Sequence, residues 1–216
     1  MKILLGIAMG CAINAHGQWI QNHVKSSVFE RVTKKNEEIA YADLYSLKQK
    51  KGYRFYTLFK ARASLRRTRE VLTNYSKYSE WIPRVKRSIY DPKTNILEIA
   101  GGIFGYELHS WAQMKEVDPE TIEFKVVKGH FLGLTGRIKF EAYQGMWSLA
   151  YLEGEMKPRN WKISVPSFVL EKGAEIVLGF SSKKMRELIE AEVPQKGQTH
   201  GSEVPQPRKG RIRKNF

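Results

Sequence analysis

Residues 84–156 form a succession of short alternating runs broken by turn signals, with no helical pattern between them. The runs cover 84–90, 96–100, 104–117, 121–127, 134–143 and 146–156. Apolar and polar residues alternate along them with the period of a half-buried strand. Asp91-Pro92-Lys93-Thr94-Asn95, Asp118-Pro119-Glu120 and Gln144-Gly145 supply the turns. Strands joined this tightly pair antiparallel, because a parallel crossover takes about a dozen residues or more. One face of the resulting sheet is apolar: Leu108, Ala112 and Met114 in one run, Ile122, Phe124 and Val126 in the next, Ile138 and Phe140 in another.

An apolar sheet face has to be covered. The segment able to cover it follows Pro166, where Phe168, Val169, Ile176, Leu178, Met185, Leu188 and Ile189 recur at helical spacing until Pro194. Gly173 and Gly179 weaken the middle of that helix by about 1 kcal/mol each relative to alanine, so a kink is expected there. The fold class that satisfies these constraints is α+β: a helix-grip, in which a curved antiparallel sheet wraps around a long C-terminal helix.

The remaining segments arrange themselves around this core. Residues 53–63 alternate as a first strand, with Tyr53, Phe55, Thr57, Phe59 and Ala61 on one face. Ser64 is placed to cap a helix over 65–74, a second short helical turn follows over 75–80, and Ile82 is extended before Pro83. The domain organisation read from the chain is a signal peptide at 1–17, a polar, partly helical leader at 18–51, a helix-grip domain at 52–192 and a disordered basic tail at 193–216. Lys2, the apolar run 3–13 and the small residues Ala15 and Gly17 make the signal peptide, which is too short for a membrane span. It predicts an exported chain, periplasmic or secreted. The single cysteine, Cys11, lies inside that segment and makes only a faint lipoprotein pattern. The leader is expected to pack on the domain through Trp19, Ile20, Val24, Val28 and Phe29.

Thr73-Asn74-Tyr75-Ser76-Lys77-Tyr78-Ser79-Glu80-Trp81-Ile82-Pro83 resembles the D-Y-x-x-Y-x-x-W-x-P signature of the START-like (SRPBCC) superfamily, with Asn74 in place of the aspartate. The likeness points to the branch of polyketide cyclases/dehydrases and coenzyme-Q-binding proteins. Gly133-Leu134-Thr135-Gly136, the hairpin at Gly145, and Ile163-Ser164-Val165-Pro166 before the closing helix extend it over about two-thirds of the chain. The resemblance implies a helix-grip fold that encloses a cavity. It makes Tyr75, Tyr78, Trp81, Tyr106, Phe124, Phe140 and Phe168 candidates for an apolar ligand-binding wall, against the plainer reading that they fill a core.

Catalytic candidates are weak. Glu107 and His109 share one strand face with Trp111 and could pass a proton to and from a carbonyl compound, or simply be solvated or paired across the sheet. Gly101-Gly102-Ile103-Phe104-Gly105 lacks the Lys-Ser/Thr of a phosphate loop and reads as a glycine hairpin over the pocket mouth. No histidine spacing favours a metal, and no cofactor is expected. The formal net charge of +15 calls for an anionic neighbour or a solvated face. An anionic membrane surface suits an exported chain, and nucleic acid suits it poorly. The expected function is a monomeric binding protein that holds an apolar small molecule or lipid and exchanges it with a membrane. The alternatives are a cyclase/dehydratase-type enzyme and, for a chain that is not exported, an RNA- or ribosome-interacting protein.

Overall fold

The computed structural model describes residues 18–159 and 165–191. The signal peptide at 1–17, the tail at 193–216 and the expected loop residues 160–164 lie outside them. Two short helices, α1 (Trp19–His23) and α2 (Ser26–Lys35), precede a hairpin of β1 (Ile39–Leu47) and β2 (Lys50–Ala61). Then come α3 (Leu65–Leu72), a 3-10 turn at Tyr75–Lys77 and α4 (Tyr78–Trp81). Six strands follow: β3 (Val85–Asp91), β4 (Ile96–Ile103), β5 (Tyr106–Asp118), β6 (Thr121–Gly129), β7 (Thr135–Tyr143) and β8 (Trp147–Arg159). A π-helical turn, Val169–Gly173, opens the closing helix α5 (Ala174–Glu190). The eight strands form one sheet in the order β1-β2-β8-β7-β6-β5-β4-β3, antiparallel throughout. This is the expected α+β helix-grip, with α5 on the inner face.

Local chemistry accounts for most boundaries. The Ser64 hydroxyl accepts from Arg67 N at 3.2 Å and caps α3. Ile82 is extended (φ −97°, ψ 117°) and ends α4, as the following proline requires. The Asp91 carboxylate accepts from Lys93 N at 2.9 Å and from the Thr94 hydroxyl at 2.7 Å, closing the β3–β4 turn. The kink expected near Gly173 takes the form of the π turn. A Cβ on Gly173 would stand 2.9 Å from Ile103, so the glycine lets the helix start lie directly on β4.

The leader differs from its polar, partly helical expectation: its second half is an edge strand. β1 pairs with β2 over its full length, from Ile39 opposite Leu58 to Leu47 opposite Lys50. The turn between them, Lys48-Gln49, has both residues at positive φ (49° and 62°). Two-residue hairpin turns of this kind are normally marked by Asn-Gly or Asp-Gly, so this one carried no sequence signal. The strand also fails to alternate. Only Ile39 and Ala42 are buried, because each face of β1 is covered over part of its length: Ile39 joins the cluster on the outer face and Ala42 the core on the inner. Gly52 sits inside β2 under the Tyr45 ring, at a register shift between Lys51 and Tyr53.

The sheet is packed on both faces. On the outer face Ile20, Val32, Ile39, Leu58, Leu149 and Tyr151 form a compact cluster under α1 and α2. On the inner face α5 is held by Thr57 and Ser182, whose hydroxyls meet at 2.6 Å, by Glu190, which accepts from Arg62 N at 2.8 Å, and by an Arg186–Glu38 pair at 2.7 Å.

Across four neighbouring strands, Phe124, Gly136, Gly154 and Phe55 stand directly opposite one another. A Cβ at Gly136 would meet the Phe124 ring at 2.4 Å, and one at Gly154 the Phe55 ring at 2.5 Å. The two rings lie over the two glycines, which explains why glycine is kept in the middle of two central strands.

Candidate functional site

The inner cluster is not filled. Between the sheet and the start of the closing helix lies a cavity of about 370 Å³. Small residues form part of its lining: Gly101, Gly102, Ser110 and Ala112 on β4 and β5, Gly173 and Ala174 at the helix start. Larger side chains form the surrounding wall, among them Phe55, Leu97, Phe124, Phe131, Leu134 and Leu170. The size is that of a small-molecule pocket.

The polar groups on this wall are few. The Tyr53 hydroxyl donates to Leu170 O at 3.1 Å and the Tyr78 hydroxyl to Leu72 O at 2.5 Å, so both are turned to backbone rather than left open. Burial pushes the phenols of Tyr53, Tyr75 and Tyr78 well above their usual range, so they stay protonated at neutral pH. Ser110 is buried, and its hydroxyl has no hydrogen-bond partner among the described residues. Arg84 is the single charged residue among those described on the wall. No aspartate, glutamate or histidine lines it among the described residues.

The structure brings together three of the seven aromatic candidates. Tyr75, Tyr78 and Phe124 line the cavity. Tyr75 stacks edge-on against Tyr78 and Tyr90 at 5.8 and 5.1 Å. The other four are elsewhere. Phe140 is completely buried in the core and lies beneath the Arg69 guanidinium, 6.0 Å from its centroid. Trp81 is half-buried against the core without reaching the cavity. Tyr106 and Phe168 are exposed at the β4–β5 hairpin and the helix start, where Phe168 meets Phe104 at 5.9 Å. Periodicity identified the apolar stripe but could not tell which rings border an empty volume.

Glu107 and His109 are on the outer face of β5, opposite Leu108 and Ser110, and neither faces the cavity. They are not paired with each other. Glu107 holds Lys86 at 2.8 Å, and His109 Nε2 meets Glu98 Oε1 at 3.0 Å, where Arg87 also binds at 2.6 Å. Burial works against the Glu98 carboxylate, yet His109 and Arg87 outweigh it and hold the group below its usual range. Lys86 does the same for Glu107. The cross-strand pairing weighed against the proton-transfer reading is what this face contains. Among the described residues no group of histidine, cysteine, aspartate or glutamate is arranged to hold a metal ion. No described helix is long and apolar enough to cross a membrane.

Sequence reading missed Tyr53, Leu97, Leu134 and Leu170 as wall residues, and Arg84 and Ser110 as its polar points. The signal for the first group was present as strand and helix periodicity. The signal for Ser110 was a polar residue on an otherwise apolar stripe. For Arg84 there was none, since its place depends on a backbone turn.

The architecture is that of the START-like helix-grip fold: a curved antiparallel sheet closed by a C-terminal helix over a cavity. No family model and no curated protein matches the sequence. Solved structures do match. A protein from Thermus thermophilus superposes with a TM-score of 0.50 at 12% identity, covering 63% of this chain and 96% of its own. A START superfamily protein from Mycobacterium smegmatis matches with a TM-score of 0.48 at 15% identity, covering 66% and 97%. A STAR-related lipid transfer protein from Xanthomonas axonopodis matches with a TM-score of 0.48 at 12% identity, covering 68% and 98%. At these identities the likeness is one of fold.

Proposed function

We propose that this chain is a binding protein that holds an apolar small molecule, such as a lipid, in the cavity between its sheet and its closing helix. The observation that carries the reading is the cavity itself: about 370 Å³ of space walled almost entirely by apolar side chains. A concave apolar wall of this size suits an apolar occupant. The alternative on the same fold, a cyclase/dehydratase-type enzyme, needs an acid and a base at the substrate. The wall described here offers protonated tyrosines and one arginine instead. The structural neighbour titled a lipid transfer protein supports the binding reading by analogy of fold only.

Export, read from residues 1–17, extends the proposal to binding outside the cytoplasm and exchange with an anionic membrane. Fractionation of cells expressing the full chain tests that extension, and a product confined to the cytoplasm would remove it. For binding itself, native mass spectrometry of the purified protein is decisive. The expected result is a co-purifying apolar molecule that is lost in an Ala112→Phe variant, whose ring would occupy the cavity. A wild-type protein that is reproducibly empty and takes up no added hydrophobic ligand would overturn the reading.

A further inference from the structure

We infer that the ligand of this cavity is an amphipathic acid, with its apolar body inside and its anionic head at Arg84. The inference rests on the binding reading above and adds the chemical class of what is bound.

Three cations lie close together where the chain enters β3: Arg84, Lys86 and Arg87. Two of them are matched. Lys86 is paired with Glu107 at 2.8 Å, and Arg87 with Glu98 at 2.6 Å. The third, Arg84, is exposed, and its guanidinium has no carboxylate or other hydrogen-bond partner among the described residues. It is also the one of the three that lines the cavity. Arg84 borders the chamber with its backbone fixed there, so its unmatched guanidinium is within side-chain reach of the opening, and such a group is suited to a carboxylate, which it can hold through two parallel N–H donors.

The backbone shows that this placement is built. Arg84 sits at φ +79°, a region that a residue with a long side chain rarely occupies. Such a conformation persists only where the surroundings over-determine it. Here they do. Gly102 N donates to Arg84 O at 3.1 Å, and Val85 N to Ile82 O at 3.2 Å. A Cβ on Gly101 would stand 2.4 Å from Arg84 O, so the glycine is required for the approach. The turn that follows Trp81-Ile82-Pro83 and the Gly101-Gly102 pair of β4 therefore act together to set Arg84 at the cavity edge. At about 370 Å³ the chamber is at the small end of small-molecule pockets, which makes a medium-chain acid the suitable probe.

Decanoate and decan-1-ol are matched probes, equal in chain length and different in charge. Isothermal titration of both against the wild type, Arg84→Gln and Arg84→Lys tests the inference. The wild type is expected to bind decanoate about tenfold more tightly than decan-1-ol, the scale of one charge-assisted hydrogen-bonded contact. Arg84→Gln should erase that preference by weakening decanoate far more than decan-1-ol, and an unaltered melting temperature of the ligand-free variant shows that the cavity is still folded. Arg84→Lys should keep part of the preference, and high salt should reduce it. Equal binding of the two probes by the wild type, or a preference that survives Arg84→Gln, would overturn the inference and leave the cavity reading standing. Failure of both probes to bind the wild type would overturn the inference through the reading on which it rests.

Discussion

The two faces of the sheet are packed by opposite rules. On the outer face two short helices press Ile20 and Val32 onto Leu58 and Leu149, and none of these four side chains retains any exposure. On the inner face a far longer helix lies over the same sheet and leaves about 370 Å³ unfilled. Helix length does not set the quality of packing. Side-chain size at the contact does. The outer contact joins branched aliphatics to one another. The inner one leaves small residues, among them Ser110, Ala112 and Ala174, on the cavity lining beside rings such as Phe55 and Phe124. Thus the cluster under α1 and α2 is closely packed, and the inner cluster keeps a cavity.

Truncation is the most direct way to break this contrast. Leu149→Ala, in the closed outer cluster, should lose about 2–5 kcal/mol in denaturant unfolding. Leu97→Ala, on the cavity wall, should fall near about 2 kcal/mol, since its neighbours can relax into space already present. Equal losses at the two sites would mean that the faces are packed alike. A second test adds volume. Gly154→Ala places a methyl group 2.5 Å from the Phe55 ring, so the ring must shift. The expected cost is about 1–3 kcal/mol, with reduced uptake of a hydrophobic probe because Phe55 borders the cavity.

A third test concerns the polar point on the inner face. Ser110→Ala removes a buried hydroxyl that has no partner among the described residues. It should stabilise the ligand-free protein by about 1 kcal/mol, read as a rise in melting temperature. A loss of stability would show that the hydroxyl is satisfied in solution, and the cavity correspondingly wetter.

The smallest effect belongs to the outer face. Glu141 is buried there, and its Oε1 accepts from Ile20 N at 2.9 Å. Burial pushes its carboxyl above the usual range, against the opposing pull of Ile20 N–H and Lys139. A raised value in the folded state means that the native protein binds the proton more tightly than the unfolded chain does. The stability this contributes is complete below the unfolded value of about 4.3 and is lost as pH rises through the higher folded value. Glu141→Gln keeps an acceptor for Ile20 N and should flatten that decline in a series of melts across acidic pH. An unchanged pH profile would assign the decline to other groups.

Much of the fold was legible because its cause is local. Ser64, Pro83, Asp91 and Gly145 each act on their immediate neighbours, and the alternation of β5, β6 and β7 directly records which side is buried. The hairpin of β1 and β2 was illegible for an equally physical reason. Lys48 and Gln49 adopt a turn that their residue types do not advertise, and an edge strand touched on only part of each face shows no clean period. In the candidate site, Tyr75, Tyr78 and Phe124 could be named from the motif and the stripe. Phe140 and Phe168 share the same pattern yet lie in the closed core and at the surface, because periodicity reports facing and carries no information about what stands opposite.

By itself, then, the sequence determined the antiparallel sheet, the single helix available to cover it, and the kink at Gly173, all of them consequences of short-range rules. Only the tertiary structure decided that the covering is incomplete. A void is a relation between residues far apart in the chain, such as Leu97, Ala112 and Ala174, which line it together only once β4, β5 and α5 are assembled. The same holds for Arg84, whose place at the cavity edge depends on the missing Cβ of Gly101.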